Sequence, residues 1–319
     1  MTLHEIRRIA VLGAGTMGTG LALIFAEAGY PVWLYSIPDP TLDRALGIIK
    51  SGLETLVAAG RLEGSRIPEI MGRIETTTDL ESVAKGSDFI IEAVVEQLDV
   101  KKAVFEKLDS WCPQGVILAS NTSYLNIFTV MPPRRLPDTA IAHFVAPAHI
   151  IPLVELVRGE KTSDATVNFL LEILKKAGRV PIVMEKYISG FCINRIQAAI
   201  GNEMYNLLDN GYMSPESLDI AVKSSIFPRA AVLGLAQRQD FTGLDLVMQN
   251  LQNKSYEYPP PNYSPDCIAS KVKQGHLGVK TGKGFYDYSG RTMQEVLRAR
   301  DIALLRVFDA VKEYMDTSV

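Results

Sequence analysis

The sequence predicts an α/β protein: a doubly wound parallel sheet in its first half and an all-α domain in its second. Three observations carry this prediction. Up to residue 184, short apolar runs alternate with amphipathic stretches, as in a sheet covered by helices on both faces. A glycine cluster, GAGTMG at 13–18, directly follows the first run and opens the first helix. After Lys186 strand-like runs stop and helical periodicity takes over.

The elements follow in order. IRRIAVLG (6–13) is a buried strand, and residues 16–29 form a helix closed by Gly29. PVWLYS (31–36) is the second strand. Helical periodicity then runs over 41–59, breaks at Gly60 and resumes over 67–73, which makes a helical hairpin where a plain crossover needs one helix. DFIIEAVV (88–95), GVILAS (115–120), AIAHFV (141–146), PLVELV (152–157) and PIVM (181–184) are the remaining strands, with a helix over 99–109. Beyond a boundary near 186, residues 187–211 read as one long apolar helix. SPESLDIAVKS (214–224) is a helix capped by Ser214 with Pro215 in its first turn. Residues 258–265 are a proline-rich loop. A final helix over 293–315 places Leu297, Leu304, Phe308, Val311 and Met315 on one side, as a packing face within its domain or a subunit contact. The two expected domains are thus 1–186 and 187–319, in keeping with a length of 319 residues.

Composition narrows the function classes. The hydrophobic share of 47% supports a core without staples, and a net charge of −3 argues against a nucleic-acid partner or a polybasic membrane patch. No stretch has the length of a transmembrane helix, and the apolar run after Arg7 and Arg8 is too short and glycine-broken for a signal peptide. The cytoplasm is the expected compartment. Cys112, Cys192 and Cys267 are widely spaced and form no Cys-x-x-Cys pair, so they are expected to be buried or inert thiols rather than a disulfide or zinc framework.

The glycine cluster points to a dinucleotide. The chain must turn tightly at Gly13, its backbone must approach phosphate oxygens at Gly15, and helix must pack on strand at Gly18. The N–H groups at the helix start, around Thr16 and Met17, then face the diphosphate. This is the fingerprint of a Rossmann-type fold. It expects an acidic residue at the end of the second strand, to bind the adenosine ribose, but Ser36 stands there and the next acidic residue is Asp39. Serine has no charge to repel an extra phosphate, so NADP is possible beside NAD. The first base in line is Arg44.

HFVAPAHIIPLVE (143–155) raises a second question, because it holds two of the four histidines and ends in Glu155 inside an apolar run. A metal site, a packed corner and an acid–base centre are all open here. A metal site needs a third and a fourth ligand, and no local cluster supplies them, so no metal is expected. Ser120, Asn121, Thr122 and Ser123 follow one strand and His143 lies near the end of another, at the sheet end where a cleft is expected, so both are places for polar groups in it; Asn121 and Ser123 are candidates for cofactor binding.

SNTSYL (120–125), AHFVAPAHIIPLVELV (142–157), GFCINRIQ (190–197) and GHLGVKTGKGFYDY (275–288), with AVVEQLDVKK (93–102), resemble in order the signature segments of the L-3-hydroxyacyl-CoA dehydrogenase family. The resemblance covers nearly all of the chain up to Tyr288. It implies an NAD-dependent enzyme of fatty acid metabolism with His143 as catalytic base, Glu155 as its paired carboxylate, and Ser123 and Asn194 binding the reacting oxygen. Glu96 and Lys101 match residues near the nicotinamide ribose. His149 is left as a bystander on the loop between two strands. A homodimer through the helical half is also implied. The sequence departs from the family at Ala146-Pro147, where an asparagine is usual before the proline, at Gly234-Leu235-Ala236, and in the extra C-terminal helix. These departures bear on the substrate: a 3-hydroxyacyl-CoA thioester is the family default, and a free 3-hydroxy acid of the gulonate or carnitine type is the alternative. Lambda-crystallin, a relative, represents a third possibility, dinucleotide binding without turnover.

Overall fold

A computed structural model describes residues 6–37, 40–254, 256–315 and 317. The chain divides into two compact units, Met1–Asn194 and Arg195–Val319. The first unit runs past the expected boundary at 186 because the backbone N–H groups of Cys192 and Ile193 donate to Glu155 within the sheet.

In the first unit the order is β1 (Ile9–Leu12), α1 (Thr16–Glu27), β2 (Val32–Tyr35), α2 (Pro40–Ala58), α3 (Ile67–Met71), β3 (Ile74–Thr77), α4 (Leu80–Gly86), β4 (Phe89–Glu92), α5 (Leu98–Trp111), β5 (Ile117–Ser120), β6 (Thr139–Phe144), β7 (Leu153–Val157), α6 (Asp164–Lys176) and β8 (Val180–Met184). The sheet has eight strands in the order β3-β2-β1-β4-β5-β6-β7-β8. The strand order reverses between β1 and β4, which opens a crevice at their carboxyl ends. Strands β1, β4, β5 and β6 are buried at every position because helices cover both faces, so their sequences are apolar runs rather than alternations. The rings of Phe25, Phe89, Phe144 and Phe169 meet edge to face beneath α1 and α6. Each such buried ring contributes about 1.5–3 kcal/mol of apolar burial. Asp79 and Ser163 cap α4 and α6 through the N–H groups of Ser82 and Thr166, a contribution of about 1 kcal/mol each.

Several expectations are corrected. The sheet is not wholly parallel: β6 and β7 pair antiparallel, with His143 opposite Glu155. The short connection between them, residues 145–152, has no room for a crossover helix, which a parallel pair requires. Strand β3 escapes the sequence pattern because Ile74–Thr77 is polar and half-exposed at the sheet edge. Helices α4 and α6 were also outside the expected elements. The long helix expected from 187 begins only at Ile193, because Gly190 and Phe191 hold φ of 79° and 50°, in the left-handed region. Cys192 is exposed, not buried.

The helices of the second unit are α7 (Ile193–Asp209, starting at the boundary), α8 (Pro215–Ala221), α9 (Phe227–Leu233), α10 (Ala236–Thr242), α11 (Leu244–Gln252), α12 (Asp266–Lys273) and α13 (Met293–Val311). The helix expected over 214–224 widens after Ala221 into a π-helical turn, Val222–Ile226. Asp209 caps α12 by accepting from the N–H groups of Asp266 and Cys267. A capping box of Thr292 and Glu295 starts α13. The expected face of α13 is the inward one, but Leu297, Leu304 and Phe308 are only half-buried, and Asp301 and Leu305 are the members that go fully inside. Among the described residues from 195 onward, only Pro265, Asp301 and Leu305 are fully buried. No helix among the described residues is long and apolar enough to cross a membrane.

Candidate active site

The glycine turn joins β1 to α1 at the crevice. Gly13 has φ 107°, and a Cβ there would stand 2.4 Å from the carbonyl oxygen of Ala93, so the turn sits directly on the chain leaving β4. A Cβ on Gly18 would fall 1.7 Å from the Gly13 oxygen, which is why α1 can start so close to β1. Gly15 differs, since a Cβ there meets nothing within 4 Å. It is the N-cap of α1 and offers no side chain to the helix N-terminus, whose first turn carries no acidic residue. Gly15 and Thr16 are exposed and Met17 half-exposed, so N–H groups at this helix start face open space. These features fit a dinucleotide diphosphate, with its negative charge at the positive end of the helix.

The histidine–carboxylate pair lies farther along the sheet, on β6 and β7, with β4 and β5 between it and β1. Nδ1 of His143 is 2.7 Å from Oε2 of Glu155, and the two residues are 4% and 0% exposed. Oε1 of Glu155 accepts from the N–H groups of Cys192 at 2.8 Å and Ile193 at 3.0 Å, the start of α7. Burial raises the Glu155 carboxyl, but donation by His143 and by these two N–H groups outweighs it and holds the group below its ordinary value. An ionised Glu155 takes the proton-bearing Nδ1 of a neutral imidazole, which leaves Nε2 as an acceptor. Phe191 packs its ring 5.2 Å from the imidazole and is wholly buried. That contact sustains its left-handed backbone, an unfavourable conformation for a bulky residue.

Two further residues gather near the pair. Asn194 Nδ2 donates to the carbonyl oxygen of Ser123 at 3.3 Å, and the Ser123 N–H donates to Glu96 Oε1 at 2.7 Å. Both bonds use Ser123 main-chain atoms and leave its hydroxyl uncommitted by them. Burial raises the Glu96 carboxyl as well, but bonds from the Thr122 hydroxyl and the Ser123 N–H, with the Lys101 ammonium beside it, bring it below its usual range. Lys101 is 1% exposed, with its ammonium between Glu92 and Glu96, so it serves these carboxylates from inside. Asn121 is buried, and its side-chain oxygen accepts from the N–H of Phe144, where the β5–β6 ladder has ended.

The remaining candidates stand apart. The imidazole of His149 lies 3.7 Å from where a Cβ on Gly52 would be, packed towards α2. Ser36 directly follows β2, buried, with its N–H donating to the Thr77 oxygen. Arg44 is exposed on α2, and Asp39 lies outside the described residues. Among the described residues no group of three metal-ligating side chains gathers. Sequence reasoning passed over Glu92 and Phe191. The signal for Glu92 was present: FIIEAVV carries it inside an apolar run, as PLVELV carries Glu155.

Comparison with known proteins adds the family. The profile of the 3-hydroxyacyl-CoA dehydrogenase NAD binding domain matches residues 8–187, and that of its C-terminal domain matches residues 190–288. The chain belongs to the 3-hydroxyacyl-CoA dehydrogenase family. As a member it is an NAD-dependent oxidoreductase of the 3-hydroxyacyl-CoA dehydrogenase type. It is 34% identical over 284 residues to a 3-hydroxybutyryl-CoA dehydrogenase of Clostridioides difficile, covering 88% of this chain and 99% of the relative. It is 30% identical over 305 residues to a 5-formyl-3-hydroxy-2-methylpyridine 4-carboxylate 5-dehydrogenase of Mesorhizobium japonicum, covering 94% of this chain and 97% of the relative. Among solved structures of the family, one of an enzyme with that pyridine-carboxylate activity, an NAD-dependent dismutase, superposes with a TM-score of 0.84 at 28% identity, over 97% of this chain and 99% of the other. The (S)-3-hydroxybutyryl-CoA dehydrogenase of Ralstonia eutropha superposes with a TM-score of 0.70 at 31% identity, over 89% of this chain and 100% of the other.

Proposed function

We propose that this protein interconverts the alcohol and carbonyl forms of a 3-hydroxyacyl-CoA, with His143 as base and Glu155 as its partner. The observation that carries the proposal is the 2.7 Å bond from His143 Nδ1 to a buried carboxylate, which leaves Nε2 as the ring's acceptor. NAD, held by the turn at Gly13, Gly15 and Gly18 with Thr16 and Met17, supplies the hydride acceptor. Nε2 takes the hydroxyl proton as the C–H hydride departs, so the alcohol loses two electrons and becomes a carbonyl. Glu155 stabilises the imidazolium that results. The Ser123 hydroxyl and the Asn194 amide donate to the oxygen in either form. When NAD is bound, Glu96 would lie near the nicotinamide ribose, as the family resemblance implies, and Ser36 would be placed to bond the adenosine ribose.

A second reading keeps this chemistry but replaces the thioester with a free hydroxy acid. The pyridine-carboxylate dehydrogenase, whose printed substrate carries no thioester, matches 97% of this chain in structure, and the Ralstonia eutropha 3-hydroxybutyryl-CoA dehydrogenase 89%. Ala146, at the mouth of the β6–β7 connection, is the other supporting feature. A panel of 3-hydroxyacyl-CoA thioesters and free hydroxy acids, followed by absorbance of reduced nicotinamide, separates the two. Turnover of neither class, with NAD bound, would leave a dinucleotide-binding protein without this activity.

The cofactor choice rests on Ser36. NAD is the expected partner, with weak discrimination against NADP because Ser36 stands where a carboxylate is expected after β2. Ser36→Asp is expected to raise NAD preference by about 1–3 kcal/mol through a charge-assisted bond to the ribose. The check is the ratio of kcat/KM with NAD and NADP for both forms. A strong native NADP preference would show that a base such as Arg44 reaches the extra phosphate.

A homodimer through the second unit belongs to the same proposal. Phe227, Leu235, Phe241, Leu244 and Leu251 are each at least half exposed, in a unit with almost no buried side chains of its own. A second copy of the same helices would cover them. Sedimentation at micromolar concentration is expected to give a dimer, and a clean monomer would end the idea. Repeating the run without residues 293–319 tests whether α13 contributes.

A further inference from the structure

Behind the glycine turn lies a buried polar joint centred on Glu92, which is 0% exposed at the end of β4. Its Oε1 accepts from Lys101 Nζ at 2.7 Å and from the Val94 N–H at 2.7 Å. Its Oε2 accepts from the Ser120 hydroxyl at 2.6 Å. The Lys101 ammonium continues to Glu96 Oε2 at 3.0 Å. Glu96 Oε1 in turn accepts from the Thr122 hydroxyl at 2.6 Å and the Ser123 N–H at 2.7 Å. The Thr122 N–H closes the circuit on the Ser120 oxygen at 3.3 Å.

Each segment tied to Glu92 meets the site on its other side. Residues 93 and 94 form the seat of Gly13, the start of the diphosphate turn. Glu96 reaches the 122–123 backbone that positions the Ser123 hydroxyl. The Glu92 carbonyl also accepts from the Asn121 N–H at 2.7 Å, and Asn121 fastens Phe144, the neighbour of His143. Burial raises the Glu92 carboxyl, opposed by Lys101, Ser120 and the Val94 N–H. A buried ion pair is rarely more stabilising than well-packed apolar groups of the same volume, so stability is a weak account of this one. Geometry is a stronger account, because an error of 1 Å in a reacting group can cost about a hundredfold in rate.

We infer that Glu92 is a positioning residue for the reaction, setting the seat of the glycine turn through Val94 and the place of Glu96 and Ser123 through Lys101 and Ser120. The inference rests on the site reading given under Proposed function.

The test uses full-length protein with Glu92→Gln, Ser120→Ala and a control, Arg135→Met. Arg135 is buried at the far end of α5, where it binds the carbonyl oxygens of Pro113 and Cys112, away from the site. Melting temperature, the dissociation constants for NAD and NADH, kcat and KM are measured separately. Glu92→Gln is expected to lower kcat by roughly 10- to 100-fold and to weaken NAD binding several-fold. Ser120→Ala should move both in the same direction by less. Arg135→Met should lower the melting temperature alone. Both site variants melting earlier, with NAD affinity and kcat within about twofold of wild type, would make Glu92 a purely structural ion pair and overturn the inference. If Glu92→Gln does not fold, Ser120→Ala decides by the same criterion. If the wild type binds NAD but turns over no hydroxy substrate, the functional proposal fails, and the NAD affinities alone then decide the role of Glu92.

Discussion

His143→Ala is expected to lower turnover by roughly a hundredfold to ten-thousandfold, the usual range for a general base, while NAD affinity stays as in wild type. The reason is geometric. Glu155 occupies Nδ1, so the whole acceptor capacity of the imidazole lies at Nε2, and no second base stands on β6 or β7 to replace it. Glu155→Gln should cost less, because glutamine can still hold the ring in place through its amide oxygen but no longer stabilises the imidazolium. His149→Ala should leave turnover near wild type, since that ring packs towards Gly52. Steady-state kinetics with NAD and the best substrate of the panel, together with calorimetric NAD binding, checks all three. Near-normal turnover of His143→Ala with loss in His149→Ala would reverse the assignment.

The second large effect concerns two glycines three residues apart. Gly18→Ala places a methyl 1.7 Å from the Gly13 oxygen, a backbone atom that can move only if the turn opens. Destabilisation of about 1–3 kcal/mol or more is expected, with loss of NAD binding as its consequence. Gly15→Ala should behave in the opposite way. Its methyl meets nothing in the protein, so melting should be unchanged, yet it fills the space a phosphate needs, and NAD affinity should fall at least about tenfold. Melting curves and NAD titrations of the two variants side by side make the comparison. Equal NAD affinity in Gly15→Ala and wild type would show that the diphosphate does not lie at this helix start.

Much of the first unit was legible in the sequence because its strands are buried on both faces. A run such as IAVL or ILAS is then apolar throughout and bounded by turn residues. Where burial is one-sided or absent, that signal fades, and β3, with its IETT, went unread. The extended helix expected from 187 failed for a different reason. Apolar residues recur across 187–193 on both sides of Ser189 and Gly190, but Phe191 turns into the left-handed region to bury its ring against His143, a tertiary contact that overrides local helical preference.

The functional residues divide in the same way. Sequence alone determined the glycine turn, because its demands are local: Gly13 and Gly18 answer contacts within a few residues or on the adjacent strand, and Gly15 keeps the helix start clear of a side chain. Sequence also singled out Glu155, since a charge in an apolar strand must find a partner. The apolar strand by itself did not name that partner; the family resemblance named His143. The antiparallel register that sets His143 opposite Glu155, the α7 start that brings two N–H groups to the same carboxylate, and the Glu92–Lys101–Glu96 joint all link residues from separate elements. Such pairings depend on strand order and register, which are settled by packing the whole sheet, so only the tertiary structure could decide them.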